Sequence, residues 1–252
     1  MMQRLLRTIE QSTGIDELTE ALTEATLQLG FHNFALTHHV DLASLQPGAI
    51  RLHNYPEKWV EHYDRNALVF RDPVHRASHV TSVGFAWARL PEMVALTVAD
   101  KRMLAMGREQ GIGEGFTVPA HVPGEARGSV SFVVRTGAPF PQDLLPVAQL
   151  IGNFAFEAAR RLCTGRGYRD HARQPRLTDR QRDCVLWAAQ GKTDAEIAII
   201  LALSRETVTE HVSQACERYG VNKRTSLIIH TLFDGTVTFT EILRGRYPHF
   251  WG

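Results

Sequence analysis

The sequence predicts an α+β protein: an N-terminal α/β/α sandwich built on an antiparallel sheet, followed by a separate all-α domain. Three observations carry this reading. Residues 15–160 alternate between helical and strand-like hydrophobic periods, in the order helix, two strands, helices, strands, helix. Residues 160–176 then break the pattern with six arginines, one aspartate, two glycines and a proline, the composition of a boundary. Beyond it, from residue 177, only short helical segments with capping residues follow.

Composition sets the outer bounds. The 252 residues are 44% apolar and 22% charged with a net charge of +1, as in an ordinary globular protein with no bulk preference for nucleic acid. Cys163, Cys184 and Cys216 have neither disulfide-framework nor zinc-site spacing. No apolar run is long enough to span a bilayer and none reads as a secretory leader, so the expected location is a reducing cytoplasm, with no membrane partner.

Ile15, Leu18, Leu22, Ala25 and Leu29 recur at helical spacing, with Gly30 as a stop. Strand-like runs at 33–42 and 49–55 flank the turn-forming Gln46-Pro47-Gly48, and Pro56 ends the second. Residues 57–68 form a helix, with Trp59 and Tyr63 four apart on one face. Asp72-Pro73 breaks it, and a loop-rich stretch carries Phe85 and Trp87. A helix over 98–110 stops at Gly111, and strands at 116–122 and 129–135 enclose a turn at Pro123-Gly124-Glu125. A long helix over 142–162 has one polar stripe, Gln149, Asn153 and Glu157; its otherwise apolar circumference implies burial on two sides, against the sheet and a partner subunit.

In the C-terminal part Thr178 with Gln181 is a capping-box pair opening a first helix, in which Cys184, Val185, Trp187 and Ala188 form the apolar side. Thr193 caps a second helix, with Ile197, Ile200 and Leu201 inward. After the tight Ala202-Leu203 connection Ser204 caps a third, with Val208, Val212, Ala215, Cys216 and Tyr219 on one face. Glu206, Thr209, Glu210 and Ser213 lie opposite. Two short helices joined by a tight turn, the second polar on its outer side, match a helix-turn-helix. Glu210 could accept from a cytosine amino group, and Thr209 and Ser213 could serve several bases. Lys192, Thr193, Arg205, Thr207, Lys223 and Arg224 are candidate phosphate contacts. Residues 177–235 hold seven basic and eight acidic side chains, so one copy grips a polyanion weakly and two copies on a two-fold site are expected. The alternative is a helical protein-interaction module.

Here the sequence resembles the DNA-binding domain of LuxR-type regulators. The matches are Leu177-Thr178, Arg180, Trp187, Gly191-Lys192-Thr193, Glu196-Ile197-Ala198, Ile200-Leu201, Leu203-Ser204, Thr207-Val208 and His211. In that family the last helix, here 226–234, pairs two DNA-binding domains; Leu227, Ile228, Ile229 and His230 stand where small residues are usual. The N-terminal part resembles the acyl-homoserine-lactone-binding domain of the quorum-sensing members, through Tyr55-Pro56, Trp59, Tyr63, Asp72-Pro73, Trp87, Gly115, Thr117, Pro119, Gly128 and Ser131. The resemblance implies a ligand-responsive, homodimeric transcription regulator of the bacterial cytoplasm. It would bind an N-acyl-homoserine lactone and a two-fold DNA operator, use no cofactor, and have RNA polymerase among its partners.

Each side chain of the implied ligand site suits that molecule. Asp72 would accept the amide N–H, Trp59 would donate to the lactone carbonyl, and Tyr55 and Ser131 would donate to the acyl carbonyl. Tyr63, Val74, Phe85, Trp87, Met103 and Leu104 would form apolar wall, with Thr117 a further polar contact. The domains expected are 1–163 for ligand, 164–176 as basic linker, 177–236 for DNA, and 237–252 as an extension.

Other chemistry is set aside. The glycines at 111, 113 and 115 read as a helix stop plus turn, since a phosphate loop needs the reverse strand-to-helix order. His75 and His79 read as surface histidines, not a metal pair. No nucleophile motif is present, which leaves an acyl-compound enzyme as a rival and a sensor for a different small molecule as another. The tail 236–252 alternates briefly as a strand through Val237 and Phe239; Ile242, Leu243, Tyr247, Phe250 and Trp251 point to packing on its own protein or a partner.

Overall fold

The computed structural model describes residues 2–39, 49–123, 125–164 and 175–244, which fall into two compact units divided between residues 122–126 and 168–169. The first unit opens with a helix absent from the sequence reading, α1 (Met2–Gln11), and continues with α2 (Ile15–Gln28). Gly30, at φ +80°, makes the turn after α2 that a side chain would resist. Strands β1 (Asn33–His38) and β2 (Arg51–His53) follow; the proposed turn at 46–48 lies outside the described residues. Helix α3 (Glu57–Arg65) ends three residues earlier than expected, because Ala67 takes a left-handed conformation (φ +47°) ahead of a 3-10 turn over Leu68–Phe70. The stretch after Asp72 is not all loop: it contains α4 (Pro73–Ser78), the two-residue strand β3 (Phe85–Ala86) and α5 (Leu90–Met93).

Helix α6 (Val98–Glu109) carries a full capping box between Thr97 and Asp100. Strand β4 (Ile112–Ala120) begins earlier than predicted, so the glycines at 113 and 115 are strand residues beside an irregularity in pairing rather than a turn. At Gly113 an added Cβ would sit 2.7 Å from the Val134 carbonyl oxygen, so the strand needs glycine there. Strand β5 (Gly128–Arg135) and helix α7 (Leu145–Thr164) complete the unit. The five strands form one antiparallel sheet in the order β2-β1-β5-β4-β3.

Alternation along the strands sorts the two faces. Phe34, Leu36, Phe116, Val118, Val130, Phe132 and Val134 share a core with α1, α2 and α7. Ala35, Thr37 and Ser131 point to the other face, toward α3, α4 and α6. Helix α7 is buried on its sheet side and also, by a cover the sequence reading did not include, against α1 of the same chain through Leu5 and Ile9. Arg160 and Arg161, grouped with the boundary arginines on composition, are helical. Arg160 is buried and pairs with Glu157 at 2.5 Å, and Arg161 donates to the carbonyls of Glu10 and Ser12 at 2.7 and 3.0 Å.

The second unit holds α8 (Asp179–Ala189), α9 (Asp194–Leu201), α10 (Arg205–Tyr219), α11 (Arg224–Phe233) and α12 (Phe239–Arg244). Capping boxes start α8 (Thr178/Gln181) and α9 (Thr193/Glu196), and the Ser204 side chain accepts from the Thr207 N–H at the start of α10. Ala202 (φ +53°) makes the tight turn between α9 and α10. Its core joins Cys184, Val185, Ile197, Val208, Ala215 and Leu227. Ile200 is not inward: it is 41% exposed, and Ala198 takes the buried place beside Ile197. The described part of the tail, to residue 244, is not a strand. Val237 is fully buried in this core, and α12 packs on α8, with Glu241 ion-paired to Arg182. Residues 247, 250 and 251 lie outside the described residues.

Candidate ligand cavity and nucleic-acid face

Between the outer face of the sheet and helices α3, α4 and α6 lies a cavity of about 780 Å³, within the size range of small-molecule sites. Nine of the eleven residues expected of a ligand site line it: Tyr55, Trp59, Tyr63, Asp72, Val74, Trp87, Met103, Leu104 and Ser131. Phe85 and Thr117 do not. Phe85 packs behind the wall with Val74, Ala77 and Leu90. Thr117 is fully buried between two lining residues, accepting from Trp87 Nε1 at 2.8 Å and lying 2.8 Å from Ser131 Oγ.

Asp72 caps α4 and is 7% exposed. Oδ1 accepts from the Val74 N–H at 2.8 Å, and Oδ2 accepts from the Tyr63 hydroxyl at 2.9 Å. The carboxylate is therefore partnered from within, and each oxygen keeps a lone pair for a further donor. Burial, and then the negative charge of Asp72, push the phenols of Tyr55 and Tyr63 up, so both remain protonated donors at neutral pH. Trp59 and Tyr63, one turn apart on α3, meet edge-on at 6.1 Å. The indole of Trp59 also packs on α6 at Gly107, where an added Cβ would stand 3.5 Å from it.

The sequence reading missed Arg51, His53, Asp64 and Gly107 in the lining. Arg51 and Asp64 form a two-point ion pair, at 3.0 and 2.8 Å, that joins β2 to α3. Period two from Tyr55 back through His53 to Arg51 was the available signal for the strand side. A glycine inside a helix was the signal for Gly107.

The histidines read as surface residues are not so placed. His75 is 9% exposed and lines the cavity, with Nε2 3.9 Å from Asp72 Oδ2. Its ring stacks on His39 at 3.7 Å. His39 Nδ1 is 2.8 Å from His79 Nε2, and His39 Nε2 is 2.9 Å from Ser129 Oγ. Burial holds the His39 imidazole far below its usual range and takes His79 down to about 4, so both rings are neutral at pH 7. Among the described residues no three His, Cys, Asp or Glu side chains are set to hold a metal ion. These imidazoles form wall behind Asp72.

In the second unit Glu206, Thr209, Glu210 and Ser213 are exposed on α10, opposite its buried Val208, Val212 and Ala215. Arg205 and Lys223 are exposed as well. Several of the named side chains are also tied within the fold. The Thr193 and Ser204 hydroxyls serve as helix caps, and Thr207 Oγ1 is 3.1 Å from Ser204 Oγ. The Thr209 hydroxyl faces Asp194 Oδ2 at 2.9 Å, and Glu210 accepts from Gln214 at 3.0 Å. Lys192 lies 3.6 Å from Glu196. Arg224 is half-buried, with Nη1 on Asp194 at 2.5 Å and Nη2 on the Lys192 carbonyl, so its first role is to fasten α11 to α9. Asp194, absent from the sequence-based set, thus links three helices.

Comparison with known proteins places this geometry in context. Residues 14–159 match the family model described as autoinducer binding domain, and residues 175–231 match that of bacterial regulatory proteins, luxR family. The transcriptional activator protein AhyR of Aeromonas hydrophila is 28% identical over 240 residues, covering 92% of this chain and 91% of that protein. Among solved structures, Escherichia coli SdiA shares the fold with a TM-score of 0.66 at 22% identity, over 93% of this chain and 97% of that one. SdiA in complex with octanoyl-rac-glycerol gives a TM-score of 0.65 at 22% identity, over 91% of this chain and 92% of that one.

Proposed function

The chain belongs to the luxR family of bacterial regulatory proteins with an autoinducer-binding domain, and from that premise we propose that it binds an N-acyl-homoserine lactone in the sensor cavity and a two-fold DNA operator as a homodimer. It is a DNA-binding transcription regulator, not an enzyme. We assign it to the bacterial cytoplasm, with RNA polymerase as a further partner; no helix among the described residues is long and apolar enough to cross a membrane.

The observation that carries the ligand reading is the chemistry gathered on one cavity. A buried carboxylate, an indole, two protonated phenols and a strand serine share it with Val74, Met103 and Leu104. The anionic acceptor Asp72 beside these neutral donors is the complement of a molecule bearing one amide N–H, two carbonyls and an alkyl tail. Asp72 receives the amide N–H, Trp59 donates to the lactone carbonyl, and Tyr55 and Ser131 donate toward the acyl carbonyl. Tyr63 acts on the carboxylate of Asp72 as well as forming wall. On the DNA side Glu206, Thr209, Glu210 and Ser213 face the major groove, while Lys192, Thr193, Ser204, Arg205, Thr207, Lys223 and Arg224 meet phosphates. Pairing is needed because the domain has little positive charge of its own. Ile229 and Phe233, exposed one turn apart on α11, support pairing through that helix. We take 1–163 as the sensor, 164–176 as linker, 177–236 as the DNA-binding domain and 237–252 as its extension.

A second reading, a different acyl compound, draws support from the Arg51–Asp64 pair in the lining, which a plain alkyl tail does not use. A thermal-shift screen of the full chain separates the two, using lactones of graded tail length beside octanoyl-glycerol. Ligand at 100 times its Kd stabilises the bound state by about 2.7 kcal/mol, a readable rise in melting temperature. A rise with octanoyl-glycerol and with no lactone would select the second reading.

A further inference from the structure

Thr117 lies behind the cavity wall, yet it is held by two lining residues, and their chemistry gives the contact a direction. An indole has one N–H and no acceptor, so Trp87 Nε1 donates to Thr117 Oγ1, 2.8 Å away. A threonine hydroxyl has one hydrogen. With Thr117 fully buried, the acceptor left for it among the described residues is Ser131 Oγ, at 2.8 Å. Ser131 then accepts from Thr117 and keeps its own hydrogen. Ser131 lines the cavity and has no other side-chain partner among the described residues, so that hydrogen is available to whatever the cavity holds.

Two further features lock the arrangement. Thr117 and Ser131 are direct cross-strand partners of β4 and β5, which sets their hydroxyls side by side. Trp87 lies flat on Gly115, where an added Cβ would come within 2.5 Å of its Cε2 atom, so the ring is seated by the absence of a side chain. Reversing the Thr117–Ser131 bond would leave the buried Thr117 hydrogen without an acceptor among the described residues.

We propose that Thr117, with Trp87 behind it, is a positioning residue that fixes the direction of its bond to Ser131 and so frees the Ser131 hydrogen to donate to an acceptor oxygen of the ligand. The inference rests on the lactone reading above, in which that oxygen is the acyl carbonyl. A free hydroxyl rotor has three staggered positions, and the relay removes the one that faces Thr117 before ligand arrives.

The test is calorimetric titration of the full chain with N-octanoyl-homoserine lactone. Thr117→Val should raise Kd about 1.5-fold when Ser131 is present, the cost of reopening one of the three rotor positions. In a Ser131→Ala background the same change should have no effect. Thr117→Ser, which keeps the hydroxyl, should bind as the wild type does. An equal loss with and without Ser131, or no loss in Thr117→Val, would overturn the relay. The indole N–H resonance of Trp87, identified by its absence in Trp87→Phe, supplies a readout that does not depend on Thr117→Val folding. Lactone should move it further in the wild type than in Ser131→Ala, and equal movement overturns the inference. If the wild-type chain binds no lactone at all, the ligand reading fails and this inference falls with it.

Discussion

Replacing Asp72 by Asn tests the assignment of its carboxylate to the ligand with the least damage to the fold. Asn caps helices as well as Asp, so the Val74 N–H at 2.8 Å keeps an acceptor and α4 keeps its start. The other carboxylate oxygen becomes an NH2 group. It then faces the Tyr63 hydroxyl, which donates to that position at 2.9 Å, so the phenol must turn and one charge-assisted bond becomes a neutral one. That exchange costs about 1 kcal/mol, a fall of some 2–4 °C in a unit of this size. The ligand loses more. Hydrogen bonds to charged groups contribute about 1.5–3 kcal/mol, so lactone affinity should fall roughly 10- to 150-fold. Calorimetry gives the affinity, and the ligand-free melting temperature reports the fold. The Tyr63 phenol, which burial and Asp72 push up, should titrate at lower pH in Asp72→Asn. Wild-type affinity in a variant with a lowered phenol pKa would refute the role given to Asp72.

Three further outcomes follow from other parts of the chain. Asp194→Ala strips Arg224 and Thr209 of a shared acceptor and should cost about 1–3 kcal/mol in unfolding of the second unit, read by chemical denaturation; a loss below about 0.5 kcal/mol, the usual scatter of surface substitutions, rejects the link between helices. Arg182 holds the Glu241 carboxyl down to about 2, from an ordinary 4.5, so the pair contributes stability that is present above pH 4.5 and disappears as pH falls toward 2. The melting-temperature gap between wild type and Arg182→Met should be flat above pH 5 and close below it, and a gap that is constant with pH rules the pair out. Replacing Thr209, Glu210 and Ser213 together by Ala should weaken operator binding selectively, while non-specific affinity holds or rises because an acidic group is gone. Equal loss on operator and random DNA would remove α10 from base reading.

Local signals were legible in the sequence and long-range ones were not. The helix starts at Thr178, Thr193 and Ser204 could be read because a cap is decided within four residues. The same kind of signal, Thr238 with Glu241, marked the start of α12, but the alternation of Val237 and Phe239 suggested a strand instead. Ile200 was misplaced because α9 is apolar nearly all round, leaving its inner face to be chosen by neighbours rather than by period. The need of α7 for cover beyond the sheet was visible, but the share taken by α1 was not, since α1 offers only Leu5 and Ile9 as deeply buried side chains among polar ones. In the cavity, residue type identified the polar groups but not their depth. Thr117 and Phe85 share a cross-sheet row with Ser131, and only the packing of Trp87 and α4 puts them behind the wall.

The pairing of β1 with β5 also governs how the sensor comes into being on the ribosome. His38 is made early, and its partner Gly128 follows about 90 residues later. At synthesis rates of about 5–20 residues per second, β1 waits roughly 5–20 s with one edge bare and Phe34 and Leu36 uncovered. The central strands of this sheet cannot close in the order in which they are made, and contacts of such sequence separation form slowly. During that interval the nascent sensor offers apolar sheet surface to wrong partners, a hazard that the stability of the finished fold does nothing to remove.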